Sequence, residues 1–277
     1  MEKRSITDFL NKEYKEYSFY TIENRALMSV IDGLKPVNRK VLFVSNNIWK
    51  KENTKHMKVF QLAGAVANMA FYHHGNISLE NCIINMCQKF KNNLQLLDGD
   101  GIFGSLRSPV PGASRYIGAK LSNIFSLIYK DFELLEHNTE EGNIIEPNFY
   151  LPIIPMIIVS GSPGIAVGHA SNILNRDPID IINACISILN NRKIKNILPK
   201  INEFNGEWIN DIENNKRWII KGKYEIHNKT LVKITELPPS ITYENYEKYL
   251  DKLCDVTKTA DLERFVLTHV YYITQKI

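Results

Sequence analysis

Residues 58–89 read KVFQLAGAVANMAFYHHGNISLENCIINMCQK, and this run decides the fold. Residues 58–70 read as a helix that stops before the polar turn Tyr72-His73-His74-Gly75. Residues 78–89 read as a second helix, with Ser78 at its N-cap, where a hydroxyl can accept an otherwise unpaired backbone N–H. Upstream, residues 36–49 read as a helix that Pro36 is suited to start, because its missing N–H would be unpaired there anyway. Arg39 and Lys40 fall in the first turns of that helix. Downstream, residues 98–116 carry Gly99, Gly101, Gly104 and Gly112, which let a backbone turn tightly and approach a phosphate chain. Two short helices joined by a turn and followed by a glycine-rich excursion make the pattern of a winged helix-turn-helix of the CAP-like kind. Residues 117–132 then read as a helix anchoring the excursion.

The flanks complete the expected architecture. Ile6, Phe9, Leu10, Tyr14, Tyr17 and Tyr20 recur at helical spacing, which predicts an amphipathic arm. After Asn143 the pattern changes, with short strands at 157–160 and 165–167 around a glycine turn and a helix over 177–190. Strand-like segments near Trp208, at 218–221 and at 231–235 lead to a helix over 243–254, and residues 265–273 alternate like a strand. The expected class is α+β. It comprises a helical arm (1–24), a winged-helix domain (25–200) and a partial α/β domain (201–277).

Bulk properties exclude several classes. The 277 residues are 44% hydrophobic and 23% charged, as in globular proteins, and the net charge of +4 permits nucleic-acid binding without arguing for it. The distribution says more, because Lys35, Arg39, Lys40, Lys50, Lys51, Lys55 and Lys58 crowd one stretch. Cys82, Cys87, Cys185 and Cys254 lack metal-type pairing, and nothing at the N-terminus reads as a signal peptide. The apolar run 149–159 is too short to span a bilayer and is broken by Pro152 and Pro155. Gly161-Ser162-Pro163-Gly164 is not a hydrolase elbow, and Asp98-Gly99-Asp100-Gly101 lacks the later ligands of a calcium loop. There is no P-loop and no acidic cluster suited to Mg²⁺.

The candidate chemistry lies in Pro111-Gly112-Ala113-Ser114-Arg115-Tyr116. A tyrosine hydroxyl, with an ordinary pKa of ~10, is a poor nucleophile at neutral pH unless cations surround it. Arginine keeps its charge at any working pH, and histidine can donate a hydrogen bond or shuttle a proton. That combination suits attack on a phosphodiester, where charge develops on both the phenol and phosphorus.

Asp32-Gly33-Leu34-Lys35-Pro36-Val37-Asn38-Arg39-Lys40-Val41-Leu42 begins a series of motifs. Residues 58–64, 72–75, 97–105, 113–116 and 161–168 follow it in order. In that order they resemble the DNA breakage-rejoining subunit of the type IIA DNA topoisomerases. The paired histidines and Ile234-Thr235-Glu236-Leu237-Pro238 are more similar to the eukaryotic and T-even phage branch than to gyrase. With no ATPase or Toprim segment before the first motif, the chain is similar to the medium subunit of T-even-like phage topoisomerases.

The resemblance implies catalytic roles for Tyr116, Arg115, Arg39 and His74. Tyr116 attacks a backbone phosphorus and becomes linked to the 5′ end, Arg115 and Arg39 face phosphate, and His74 lies nearest the scissile group. It implies DNA contacts for Lys35, Lys40, Lys58 and His73. Ile173 would be an apolar wedge that bends the duplex, although Leu174 stands where the family has proline. No metal ligand is expected in this chain, so Mg²⁺ is expected on the Toprim domain and ATP on the ATPase domain of a partner subunit. The other expected partners are duplex DNA and a second copy of the chain, joined through the winged-helix domain. The arm is expected to lie against the partner's Toprim domain, and the family continues into a coiled coil and exit gate. The expected setting is the cytoplasm of a virus's host. The alternative is a non-cleaving relative that binds DNA and the partner as a scaffold.

Overall fold

A helical arm opens the chain, in a computed structural model that describes residues 5–50, 55–211, 217–228, 231–257 and 270–274. Its segments α1 (Ile6–Phe9), Leu10–Tyr14, α2 (Lys15–Thr21) and Ile22–Ala26 alternate α- and π-type turns. Ser5 caps the arm by accepting from the Asp8 N–H. Ile6, Phe9, Leu10, Tyr14, Tyr17 and Tyr20 are exposed, so the apolar stripe read from the sequence faces outward within this chain.

Three helices build the first core. α3 (Pro36–Trp49), α4 (Val59–Met69) and α5 (Asn76–Cys87) bury residues at intervals of three and four, which puts them on one face of each helix. Val41, Leu42 and Val44 meet Val59, Leu62 and Val66, with Leu79 and Ile83, all with no measurable exposure. A sheet of order β1-β3-β2 closes this core, formed by β1 (Met57–Lys58), β2 (Leu97–Asp100) and β3 (Gly118–Leu121), all antiparallel.

The chain before α3 is tied down by a buried carboxylate. Asp32 accepts from Arg39 Nε at 2.7 Å and Nη2 at 3.1 Å, and from the N–H groups of Leu34 and Tyr150 at 3.1 Å each. Its carbonyl accepts from the Tyr129 hydroxyl at 3.1 Å. Tyr129 and Tyr150 pack with Phe125 and Phe132 in an aromatic cluster whose centroids lie 5.3–6.3 Å apart. Burial pushes both phenols well above their ordinary range, so both stay neutral and Tyr129 serves as a donor.

The remaining elements are smaller. α6 (Asn123–Ile128) and the 3₁₀ turn Phe132–Leu134 precede the hairpin of β4 (His137–Glu140) and β5 (Asn143–Pro147). α7 (Met156–Ser160) leads into the hairpin of β6 (Ser162–Ala166) and β7 (His169–Ile173), followed by α8 (Pro178–Leu189) with Asp177 as N-cap. β8 (Glu207–Asn210), β9 (Arg217–Lys221) and β12 (Val270–Thr274) form a sheet of order β12-β9-β8. β10 (Lys223–Asn228) pairs with β11 (Leu231–Glu236), and α9 (Tyr243–Thr257) follows. A second core of Phe90, Leu106, Phe204 and Ile220 joins the glycine-rich loop to the β8–β9 pair.

The architecture is mixed α/β, with three local departures from the sequence reading. Residues 117–132 are a strand and a short helix, because 118–121 take the central place in the β1-β3-β2 sheet before Ser122 caps α6. Residues 157–160 are helical, since the chain turns after Pro155 and stops at Gly161, whose φ of 69° suits glycine. The N-cap of α5 is Gly75, and Ser78 lies inside the helix accepting from the Tyr72 hydroxyl at 3.2 Å. Lys51 and the first part of the expected 265–273 strand lie outside the described residues. No helix among those described is long and apolar enough to cross a membrane.

Gly33 is the tightest backbone approach in the Asp32 turn. Its φ is +68°, and a Cβ there would sit 2.6 Å from the Ile157 nitrogen and 2.8 Å from the Met156 carbonyl carbon. Gly33→Ala is therefore expected to destabilise the fold by more than ~2 kcal/mol, read as a lowered Tm and denaturant midpoint.

Candidate active site

The tyrosine loop is fixed to the start of α4. That helix has unpaired N–H groups at its first residues, and two find carbonyls in the loop: Val59 N–H donates to Ile117 O at 3.1 Å and Phe60 N–H to Ser114 O at 3.3 Å. The loop closes on itself through Tyr116 N–H to Ala113 O at 2.8 Å. Tyr116 is 69% exposed, so its hydroxyl is presented to solvent rather than packed. The Arg115 guanidinium lies 5.0 Å from the Tyr116 ring centroid, and the Lys58 ammonium donates to the Tyr116 carbonyl at 2.7 Å. The tyrosine loop thus docks by its backbone at a helix N-terminus, with the Arg115 guanidinium over the outward ring and the Lys58 ammonium on the Tyr116 carbonyl.

The histidines border a different feature. A groove of about 890 Å³ is lined by Arg25, Lys35, Lys40, His73 and His74, with Asn81, Cys82, Asn85, Lys91, Glu140 and Glu146. Phe71 precedes the pair with a left-handed φ of 49°, a costly conformation for an aromatic residue that turns the chain outward before both imidazoles. His74 packs edge-on against Tyr72, centroids 5.3 Å apart. His73 Nε2 lies 2.6 Å from Glu140 Oε1, an exposed pair that a competing anion could displace at small cost. Burial pulls the Lys35 ammonium below its ordinary range, an effect that an incoming phosphate would oppose. Burial also pushes the neighbouring Cys82 thiol up to about 12, so it lines the groove uncharged.

The structure divides the residues singled out by the sequence. Tyr116 and Arg115 share one loop, which Lys58 of β1 contacts, whereas His73, His74 and Lys35 line the groove, whose lining does not include the tyrosine. Arg39 belongs to neither group. Its guanidinium spans both oxygens of Asp32 with its side chain only 11% exposed, so a phosphate would have to displace a buried carboxylate. Lys40 lines the groove, but its charge is shared with Glu146 at 2.9 Å and the Ala70 carbonyl at 2.5 Å. Ile173 is half-buried opposite Ser162 at the base of the β6–β7 hairpin, while Ile165 near the tip is 88% exposed.

One residue gives no sign in the sequence. Arg25 is exposed, lines the groove beside Lys35 and makes no ion pair among the described residues. Its only signal is positional: it closes the helical arm just ahead of the Asp32 motif, where an outward arginine reads as an ordinary solvated charge.

No cluster of three His, Cys, Asp or Glu residues suited to a metal occurs among the described residues. A family model for the A subunit of DNA gyrase/topoisomerase IV matches residues 25–266. The DNA topoisomerase medium subunit of Enterobacteria phage T4 is 35% identical over 254 residues, covering 91% of this chain and 56% of the relative. DNA topoisomerase 2 of Acanthamoeba polyphaga mimivirus is 39% identical over 257 residues, covering 90% of this chain and 20% of the relative. The chain therefore spans little more than half of the phage relative and a fifth of the mimivirus one. The crystal structure of the Plasmodium falciparum topoisomerase II DNA-binding, cleavage and re-ligation domain matches with a TM-score of 0.82 at 32% identity, covering 97% of this chain and 38% of that one. Matched by that family model over residues 25–266, the chain belongs to the family of DNA gyrase and topoisomerase IV A subunits.

Proposed function

We propose that the chain is the strand-breaking subunit of a type IIA DNA topoisomerase, working with a partner that supplies the ATPase and Toprim domains. The observation that carries this is the exposed Tyr116 phenol, held at the α4 N-terminus with Arg115 5.0 Å from its ring. The phenol oxygen attacks a backbone phosphorus and the bond to the 3′ oxygen breaks, leaving a 5′-phosphotyrosyl diester and a 3′ hydroxyl. The phenol proton leaves as the nucleophile forms, and one proton ends on the 3′ oxygen. Reversal re-forms the original bond without ATP, because the new diester replaces the old one. Arg115 stabilises both the phenolate and the added charge on phosphorus.

Residues 36–121 act in this reading as a winged helix on duplex DNA, and the β8–β12 region as the start of a tower. Arg25, Lys35, His73 and His74 bind flanking phosphates in the groove, whereas Arg39 and Lys40 keep their internal ion pairs and shape it. Ile173 keeps its role as the bending wedge, exposed to the bases by movement of the hairpin. The partner holds Mg²⁺ and ATP. Two copies of the chain, joined through the winged-helix elements, provide one tyrosine for each strand. The work is done in the cytoplasm of an infected cell, a setting that the phage and mimivirus relatives support.

Tyr116→Phe is expected to abolish SDS-trapped covalent DNA complexes formed with Mg²⁺ and the partner, while duplex affinity changes less than about twofold. A surviving adduct removes Tyr116 from the chemistry, and no adduct from the wild-type complex leaves only a DNA-binding scaffold. Binding through phosphates also predicts affinity that falls steeply with salt and depends little on sequence, as titrations from low to physiological ionic strength would show.

The two arginines should separate. Arg25→Ala is expected to weaken duplex binding with an unchanged Tm. Arg39→Ala strands a buried carboxylate and should lower stability by about 3–5 kcal/mol in denaturant unfolding. Equal Tm values for the two variants would contradict the division.

A further inference from the structure

The loop that carries Tyr116 is gripped on two sides, and one grip comes from far along the chain. From the helical side, Gln88 Nε2 donates to Phe103 O at 2.9 Å and to Pro109 O at 3.4 Å. Gly104 lets the loop fold under itself, with φ of +81° and space for a Cβ only 2.8 Å from Pro109. From the other side, Leu106 is buried against Phe90, Phe204 and Ile220, and its N–H donates to Glu203 Oε2 at 2.9 Å. Beside it stands Arg107, the one cation of this loop whose donors are consumed inside the protein.

The Arg107 guanidinium spans the segment that ends β11. It donates to Glu236 Oε1 at 2.6 Å, to the Leu237 carbonyl, to Pro238 O at 2.8 Å and to Ile241 O at 3.4 Å. The Arg107 carbonyl in turn accepts from Tyr243 N–H, the first residue of α9, at 3.1 Å. The two charged side chains are 10% and 14% exposed, so neither is available to DNA. Three carbonyls and a carboxylate converging on one planar cation make an arrangement that a flexible ammonium cannot fully reproduce.

We infer that Arg107 is a positioning residue for strand breakage, latching the tyrosine loop to the β11–α9 segment so that the following unit sets where Tyr116 stands. This rests on the reading of Tyr116 as nucleophile. The path is short and stiff: the Ser105–Ser108 turn is closed by bonds of 2.9 and 3.2 Å, Gly112 N–H donates to Ile102 O at 2.8 Å, and the Ala113–Tyr116 turn follows directly. Releasing Arg107 frees one wall of this loop while leaving the α4 docking and the groove cations in place. Duplex binding then persists, but the phenol samples positions off the line of attack. In-line displacement is sensitive to misplacement of about 1 Å.

The test uses the chain assembled with its ATPase and Toprim partner. Arg107→Met and Arg107→Lys are compared with wild type, together with Glu236→Gln, which keeps an acceptor and guards against a variant that fails to fold. Arg107→Met should lower the trapped covalent fraction about tenfold or more with duplex affinity within about twofold, and Arg107→Lys should restore part of it. Hydrogen exchange of residues 105–116 on the chain alone should quicken in Arg107→Met and less in Arg107→Lys, whether or not the assembly cleaves. Wild-type cleavage with unchanged adduct yields in all variants would overturn the inference. So would unchanged exchange at 105–116, or adduct and affinity falling together in step with loss of folded protein. No adduct from the wild-type assembly would instead reject the nucleophile reading, and exchange would still decide whether Arg107 holds the loop.

Discussion

Everything in the first half of the molecule is organised around the Asp32 carboxylate. Fully buried, it takes two bonds from Arg39 and one each from the backbones of Leu34 and Tyr150. A buried charge is tolerated only when paired and hydrogen-bonded, and removing one partner is costly. The same group fixes the turn at Gly33, the first turns of α3 and the chain before the β6–β7 hairpin, where Gly33 approaches Met156 and Ile157. Because α3 supports α4, and α4 carries the tyrosine loop at its N-terminus, the position of the phenol depends on that ion pair without touching it.

This division of charge explains the arrangement of the candidate site. Basic residues in the 35–58 stretch do two jobs. Arg39 and Lys40 pair with Asp32 and Glu146 internally, while Lys35 lines the groove and Lys58 bonds the tyrosine loop. Arg25 adds a further cation from the arm. The net charge of +4 is thus a poor guide to the field at the groove, since part of the basic count is spent on holding the fold.

How much of this is legible in the sequence follows from the range of each interaction. Helices α3, α4 and α8 are readable because local signals agree: Pro36 at a start, three-four apolar spacing, and Asp177 before Pro178. The segment 117–132 reads wrongly as one helix because its first residues gain their stability from pairing with β1 and β2, contacts that no local window contains. Arg39 resembles a phosphate ligand in a one-dimensional motif. Its partner Asp32 lies within the same motif, but the burial that makes the pair internal comes from Tyr129 and Tyr150, about a hundred residues away in sequence. Arg25 and Arg107 are invisible for the same reason, because the groove and the β11–α9 segment that give them meaning assemble only in three dimensions.

Strand breakage by this chain stands or falls on one covalent bond to DNA. Trapping the cleaved complex with 5′-labelled and 3′-labelled duplexes, digesting it and sequencing the DNA-linked peptide by mass spectrometry reads that bond directly. The predicted result is a single linked peptide, modified on Tyr116 through the 5′ phosphate, with a free 3′ hydroxyl on the other fragment. A linkage through another residue, or through a 3′ phosphate, would contradict it.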